Sequence, residues 1–453
     1  MDILQSKIFD TVNLILGGIQ KKTDVIRQNS FILSNIDYII LFFIIGTYLV
    51  STVASTNLIG IISFFVPVLV VLKVLITKNE KITLERWNFY LLLYLLICLI
   101  SNFTSSMFSQ SLYGYMKTLI YFAFYFALCQ FLNRKNIAII LFTIASIISV
   151  ESIIGLMQNA VGIENISTWQ DTSYVNPEDV LSRVYGTLKP YNPNLFGGFL
   201  IAGISSLIGF TAVNIRKGKI KSAIIYAICF LISSFTIFLT GCRGAYLALF
   251  IILLGIIFAS FQIIFFDFKS EQIKKLWKII ISVCAAGSVL FMFLNHGIFK
   301  RLMSIFILRG DSSTSFRLNV YQSALQMFQD NWIQGVGVGN KVFREIYGLY
   351  MISGFDALSC YCVFLEIAVE SGIFALIFYL LFIISLLKAA YIRFINSSDY
   401  DYKILLFISF ISILAVMIHG FFDTIYFRPQ VQYIFWTMAA ILTVLIRENK
   451  TAE

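Results

Sequence analysis

The chain is short of charge. Only 13% of its 453 residues are Asp, Glu, Lys or Arg, about half the share of soluble globular proteins, and that scarcity excludes an ordinary soluble domain. Histidine is almost absent. His296 and His419 are the only two, and neither belongs to a set of neighbours at metal-ligand spacing, which argues against a metal centre. The seven cysteines (98, 129, 229, 242, 284, 360 and 362) show no metal spacing either and fall mostly in apolar runs, where a thiol behaves as a small apolar group. Cys360 and Cys362 lie too close in sequence for an unstrained bridge and read as free thiols. A cleavable signal is not expected, because Asp2 stands where a basic region belongs and no continuous apolar run begins before residue 30. Pro67 is the one proline inside an apolar run, no internal repeat is visible and mid-run charges are scarce. Secondary transporters show the opposite: interrupted helices, repeats and midplane charges.

What the chain has in abundance is apolar residues, 59% of the total, with a mean hydropathy of +0.85. About twenty consecutive apolar residues cross a bilayer. By that measure the sequence predicts an all-α, polytopic membrane helix bundle of twelve spans, near 34–51, 56–77, 88–102, 112–131, 136–157, 195–213, 222–240, 244–265, 276–295, 361–387, 404–422 and 431–447. Residues 1–33 form a separate N-terminal segment whose stretch 3–19 reads as an amphipathic helix on the cytoplasmic face. Residues 34–453 form the membrane domain.

Lys and Arg near span ends stay in the cytoplasm. With both termini inside, 23 of the 34 Lys and Arg fall on the inner side and 11 on the outer. The net charge of +10 then reflects orientation in a plasma (inner) membrane, and no nucleic-acid partner is implied. The outward exceptions are Lys117, Arg183, Lys189, Arg243, Lys300, Arg301, Arg309, Arg317, Lys341, Arg344 and Arg428. Arginine dominates them, and its planar fork suits phosphate or carboxylate. An anionic ligand at the outer face follows, although some of these charges could serve lipid headgroups alone.

Two outer loops are long, about 158–194 and 296–360. The first carries Asp171, Glu178, Asp179 and the turn Tyr191-Asn192-Pro193-Asn194. In the second, Leu318, Tyr321, Leu325 and Phe328 recur at helical spacing and predict a helix over 316–330, with Ser312 to Ser315 as candidate caps. Phe343, Tyr347 and Tyr350 predict another over 340–351. Both should lie against the mouth of the bundle. Gly335-Val-Gly337-Val-Gly339 joins them, and without a βαβ context it reads as a tight link, its amides open to an anion, rather than a dinucleotide loop.

Four further features bear on chemistry. Gly241-Cys242-Arg243-Gly244 places one arginine at the surface, as a snorkelling anchor or a ligand contact. Glu366 and Glu370 lie one turn apart on one helix face, and acids within a span mark function or pair with the outward arginines. His419, Asp423 and Arg428 cluster in HGFFDTIYFRPQ, either orienting a polar ligand group or forming a structural network. Asn194 stands at the start of the sixth span.

NPNLFGGFL (192–200), TGCRGAYLAL (240–249), FRLNVYQSALQMFQDNWIQGVGVGN (316–340) and the LE-x-x-VE-x-G pattern (365–372) together resemble the O-antigen ligase-related membrane superfamily. The resemblance runs from about 180 to 430. FDALSCYCVFLEIAVESG and HGFFDTIYFRPQVQ are most similar to a cyanobacterial-type branch described as inorganic carbon, or bicarbonate, transporters. The superfamily resemblance implies an outer site where Arg243 and Arg317 hold the diphosphate of a polyprenyl-linked glycan that is ligated or polymerised; Arg344, Asn194, Asp423 and Arg428 are further candidates for binding it, and no metal or other cofactor is expected. The branch implies transport of bicarbonate, or regulation of that transport, instead. One departure stands out: ligases carry a histidine just before the LE-x-x-VE-like segment, whereas this chain has Ser359-Cys360-Tyr361-Cys362. Either Glu366, Glu370 or His419 then accepts the acceptor's proton, or the polyprenyl-diphosphate leaving group needs little help from a base.

Overall fold

The computed structural model describes residues 2–162, 183–267, 270–279, 281–282, 312–352 and 356–450. Among them every regular element is helical. Helices α1 (Asp2–Asn29) and α2 (Phe31–Ser34) precede the spans α3 (Ile36–Val53), α4 (Thr56–Ile76), α5 (Arg86–Thr104), α6 (Phe108–Phe131) and α7 (Arg134–Val161). The pair α8 (Pro193–Gly203) and α9 (Ser205–Arg216) makes one span, followed by α10 (Ile220–Leu239) and α11 (Arg243–Gln262). Helices α12 (Ser312–Asp330) and α13 (Asn340–Tyr350) come next, then the spans α14 (Val363–Asn396), α15 (Tyr400–His419) and α16 (Pro429–Lys450). Among the described residues eleven spans are thus long and apolar enough to cross a membrane, and the protein is a multi-pass helical membrane bundle. Of the twelve spans expected, the ninth, 276–295, lies largely outside the described residues, as do Asp171, Glu178, Asp179, His296, Lys300, Arg301 and Arg309. The tenth was expected over 361–387 but its helix runs on to Asn396. Hydropathy marks the lipid-crossing part, and the helix continues past it with Lys388 and Arg393 in its last turns.

α16 is the axis of the bundle. Its span is wholly buried, while α11 is the least buried. The cause is polarity: α16 carries Gln432, Thr437 and Thr443, groups that cost free energy against lipid unless hydrogen-bonded. Buried neighbours satisfy them. Tyr48 Oη lies 2.5 Å from Thr437 Oγ1, and Trp87 Nε1 donates to Thr443 Oγ1 at 3.1 Å, where Tyr125 Oη also arrives at 2.9 Å.

The end that the basic residues assign outward is called the outer end below. At the inner end the basic residues find acids: Arg134 with Glu448 at 2.7 Å, Arg216 with Asp401 at 2.6 Å and Lys73 with Asp37 at 3.0 Å. There α1 lies across the last turn of α4. Three of its polar side chains face the protein: Gln20 Nε2 donates to Val74 O at 2.8 Å and Glu80 O at 2.9 Å, Thr23 Oγ1 to Leu75 O at 2.8 Å, and Asn13 pairs with the backbone of Ile82. The carbonyls of Val74 and Leu75 are ones that the end of α4 leaves without helical partners. The apolar residues Leu14, Ile15, Val25 and Ile26 point outward, 58% exposed or more.

Candidate functional site at the outer end

The predicted helices of the second outer loop form as α12 and α13, built on a small core of their own. Val320, Ala324, Met327, Val342, Phe343 and Tyr347 pack with Val369 of α14. The glycine link between them threads into a break in α14. At Gly372 the backbone takes φ 79° and ψ 175°, so the turn opens. Val369 O then accepts Val336 N–H and Glu370 O accepts Gly337 N–H, both at 2.9 Å, and Ile373 N–H donates to Trp332 O at 2.8 Å. Ser101 Oγ also donates to Glu370 O, at 2.7 Å. Gly335, Gly337 and Gly339 hold φ of 69°, 113° and 108°, a region open to glycine. Their neighbours leave no room for side chains: a Cβ on Gly337 would lie 2.7 Å from Ser105 Cβ and 2.8 Å from Ser111 Oγ. The amides at 336–338 are spent on Val369, Glu370 and Ser111. The expectation that they face an anion is therefore corrected.

Above this strap lies a polar cluster drawn from five parts of the chain. Arg183, on the segment entering α8, donates Nε to Thr240 O at 2.7 Å and Nη2 to Asn194 Oδ1 at 2.6 Å. Asn194 Nδ2 donates to Asp423 Oδ2 at 2.9 Å. Arg317 Nη2 of α12 approaches the same oxygen at 3.6 Å. Asp423 Oδ1 accepts Thr424 N–H at 2.7 Å. The Arg183 segment is fixed from α7, where Gln158 Oε1 accepts Tyr185 and Gly186 N–H at 3.1 and 2.9 Å and Glu151 Oε2 accepts Thr187 N–H at 3.0 Å.

Tyr361 lies beneath Arg317, whose guanidinium carbon is 5.4 Å from the ring centre, a cation–π distance. Tyr361 has φ 53°, an unusual backbone for a residue with a side chain, and such outliers persist where surroundings over-determine them. The surroundings here are Phe316, with ring centres 5.8 Å apart, and Tyr321 Oη, which donates to Tyr361 O at 3.2 Å. Burial, with Asp423 nearby, pushes the Tyr361 phenol up to about 12. It stays neutral.

The proton-accepting candidates are all buried. Glu366 accepts Cys360 N–H at 3.1 Å, and Glu370 faces the Gly339 amide. Both carboxylates therefore also anchor the outer segment. His419 Nε2 lies 3.3 Å from Cys242 Sγ. Burial raises the Cys360 thiol well above its ordinary value, with the charges of Glu366 and Glu370 adding to it.

Of the expected binding residues, Asn194, Arg317 and Asp423 meet directly. Arg243 starts α11 next to Cys242, and Arg428 follows Asp423 on the α15–α16 connection with its charge felt at Glu366. Arg344 stands differently. It pairs twice with Asp356, and both side chains are half exposed. Arg183, Cys242 and Tyr361 enter the cluster without having been singled out for it. Arg183 was visible only as one outward arginine among several, Cys242 only as the neighbour of Arg243 in a short turn, and Tyr361 only inside the stretch that departs from the ligase pattern.

Residues 228–380 match the family model described as O-Antigen ligase, about a third of the chain. No curated protein matches the chain. The matched segment holds Arg243, Arg317, the glycine strap and both glutamates, while Arg183, Asn194, His419, Asp423 and Arg428 lie outside it. The chain is thus a multi-pass membrane protein, with eleven spans among its described residues, and it carries a segment that matches the O-antigen ligase family model.

Proposed function

We propose that the outer cluster binds the diphosphate of a polyprenyl-linked glycan and that the protein transfers or polymerises that glycan. The observation that carries this reading is the convergence of Arg183 and Arg317, from separate elements, on one Asn194–Asp423 pair. Arg243 and Arg428 stand on the adjoining turns. As the bond from the sugar to the diphosphate breaks, negative charge gathers on the departing oxygens, and fixed guanidinium donors stabilise it most there. Such a leaving group needs charge stabilisation more than it needs a strong base. That suits a site in which Glu366 and Glu370 are already engaged by backbone amides and Ser359-Cys360-Tyr361-Cys362, not a histidine, stands just before α14.

Bicarbonate transport is the other reading. The break at Gly372 is the kind of interruption carriers use to bind ions. Here its carbonyls are taken by the chain's own strap, which favours the enzyme.

The test uses purified protein in liposomes with a polyprenyl-diphosphate-linked glycan and an acceptor. Arg317→Ala should lower transfer by about a hundredfold, as losing one charge-stabilising donor does, and Arg317→Lys should restore part of it. Protein-dependent accumulation of labelled bicarbonate without any glycan transfer would overturn the proposal.

A further inference from the structure

Cys242 has a setting that the arginine cluster does not account for. It caps the start of α11, a helix of 20 residues, where partial positive charge gathers. Its sulfur lies 3.3 Å from His419 Nε2, and both side chains are buried. The imidazole sits in a slot between two helices: a Cβ on Gly198 of α8 would come 3.8 Å from its Cε1, and one on Gly244 of α11 would come 3.5 Å from its Nε2. His419 Nδ1 is buried with no hydrogen-bond partner. The ring is therefore held through its contact with sulfur.

The charged groups around the pair are Arg183 from the segment entering α8, Arg317 from α12 and Asp423 from the α15–α16 connection; Tyr246 on α11 is also near. Two positive groups thus face one carboxylate. Burial alone would push the Cys242 thiol up, but the charge and hydrogen bond of His419 outweigh it and hold the thiol below its ordinary range, with Ala245 N–H contributing. Low-pKa, electropositive surroundings are what make a cysteine reactive. Gly241 and Arg243 on either side are partly exposed, so the turn that carries the sulfur reaches the surface.

We propose that Cys242 is a reactive thiol, sharing its proton with His419, that small alkylating electrophiles and peroxides modify at the outer end. With a peroxide, the sulfur attacks one oxygen, an S–O bond forms as the O–O bond breaks, and the departing hydroxide takes the proton held by His419 to leave as water. The sulfur is oxidised by two electrons to the sulfenic acid and the peroxide is reduced. The inference does not depend on glycan transfer.

The experiment labels the detergent-purified full chain with iodoacetamide from pH 6 to 9.5 and follows each cysteine by peptide mass spectrometry. In the native chain Cys242 should react at pH 6.5 while Cys360 does not. His419→Gln should slow it at that pH by at least about tenfold, the effect of one unit in thiol pKa. Dimedone after hydrogen peroxide should mark Cys242 and lose that mark in Cys242→Ser. The idea is overturned if Cys242 reacts no faster than Cys360, or if its rate in the native chain rises only through the ordinary thiol range. The native profile decides the matter even if His419→Gln does not fold.

Discussion

Replacing Gly372 by alanine should release the strap that places α12 and α13 over the mouth. Its φ of 79° and ψ of 175° lie where only glycine is comfortable, and a side chain there costs about 1–3 kcal/mol. The new Cβ would also lie 2.6 Å from Ile333 C and against its carbonyl oxygen. Both are backbone atoms that cannot rotate away, so the strap must retreat. Retreat breaks three hydrogen bonds, from Ile373 N to Trp332 O, Val336 N to Val369 O and Gly337 N to Glu370 O, each worth about 1 kcal/mol net. The chain will take the cheaper mixture of strain and detachment, about 3 kcal/mol in favour of local opening. By hydrogen exchange in detergent, the amides of 336–338 should then exchange about a hundredfold faster than in the native protein. Gly348→Ala is the internal control. That glycine lies inside α13 with open space around it, so the change should be neutral or stabilising by up to about 1 kcal/mol. Equal exchange in the two variants would refute the reasoning.

Three further outcomes are expected. Gln20→Ala removes the cap from Val74 O and Glu80 O and should cost about 1–3 kcal/mol of α1 docking, seen as faster tryptic cleavage at Lys21 and Lys22 while the spans stay intact. A tryptophan placed at Leu14, which is 79% exposed, should be quenched by brominated lipid in vesicles if the outward face of α1 rests in the membrane interface; one placed at Ser398, exposed between α14 and α15, should not. Gln158→Leu deletes three hydrogen bonds to residues 185 and 186. It should free the segment carrying Arg183 and lower thermal stability by about 3 kcal/mol or less, while Gln158→Glu, which keeps the accepting oxygen, should lose less.

Composition and periodicity were enough to read the bundle. Each span is a run of apolar residues long enough for a bilayer, and that requirement acts on one segment at a time, so it is written locally. The same holds for α12 and α13, whose apolar residues recur at helical spacing. Local patterns also pointed to Asn194, Arg317 and Asp423, because an arginine kept outward against the charge bias, or an acid in an apolar neighbourhood, needs a reason. What sequence could not decide is which of these groups meet. Arg344 and Arg317 look alike in the chain, yet one pairs with exposed Asp356 and the other with the Asp423 cluster. Cys242 and His419 are 177 residues apart and touch. The glycine strap looked open to an anion until the break at Gly372 supplied carbonyls to fill it. Spans are specified by their own solvent, so sequence alone determined them; the site depends on distances between distant segments, which only the packed bundle fixes.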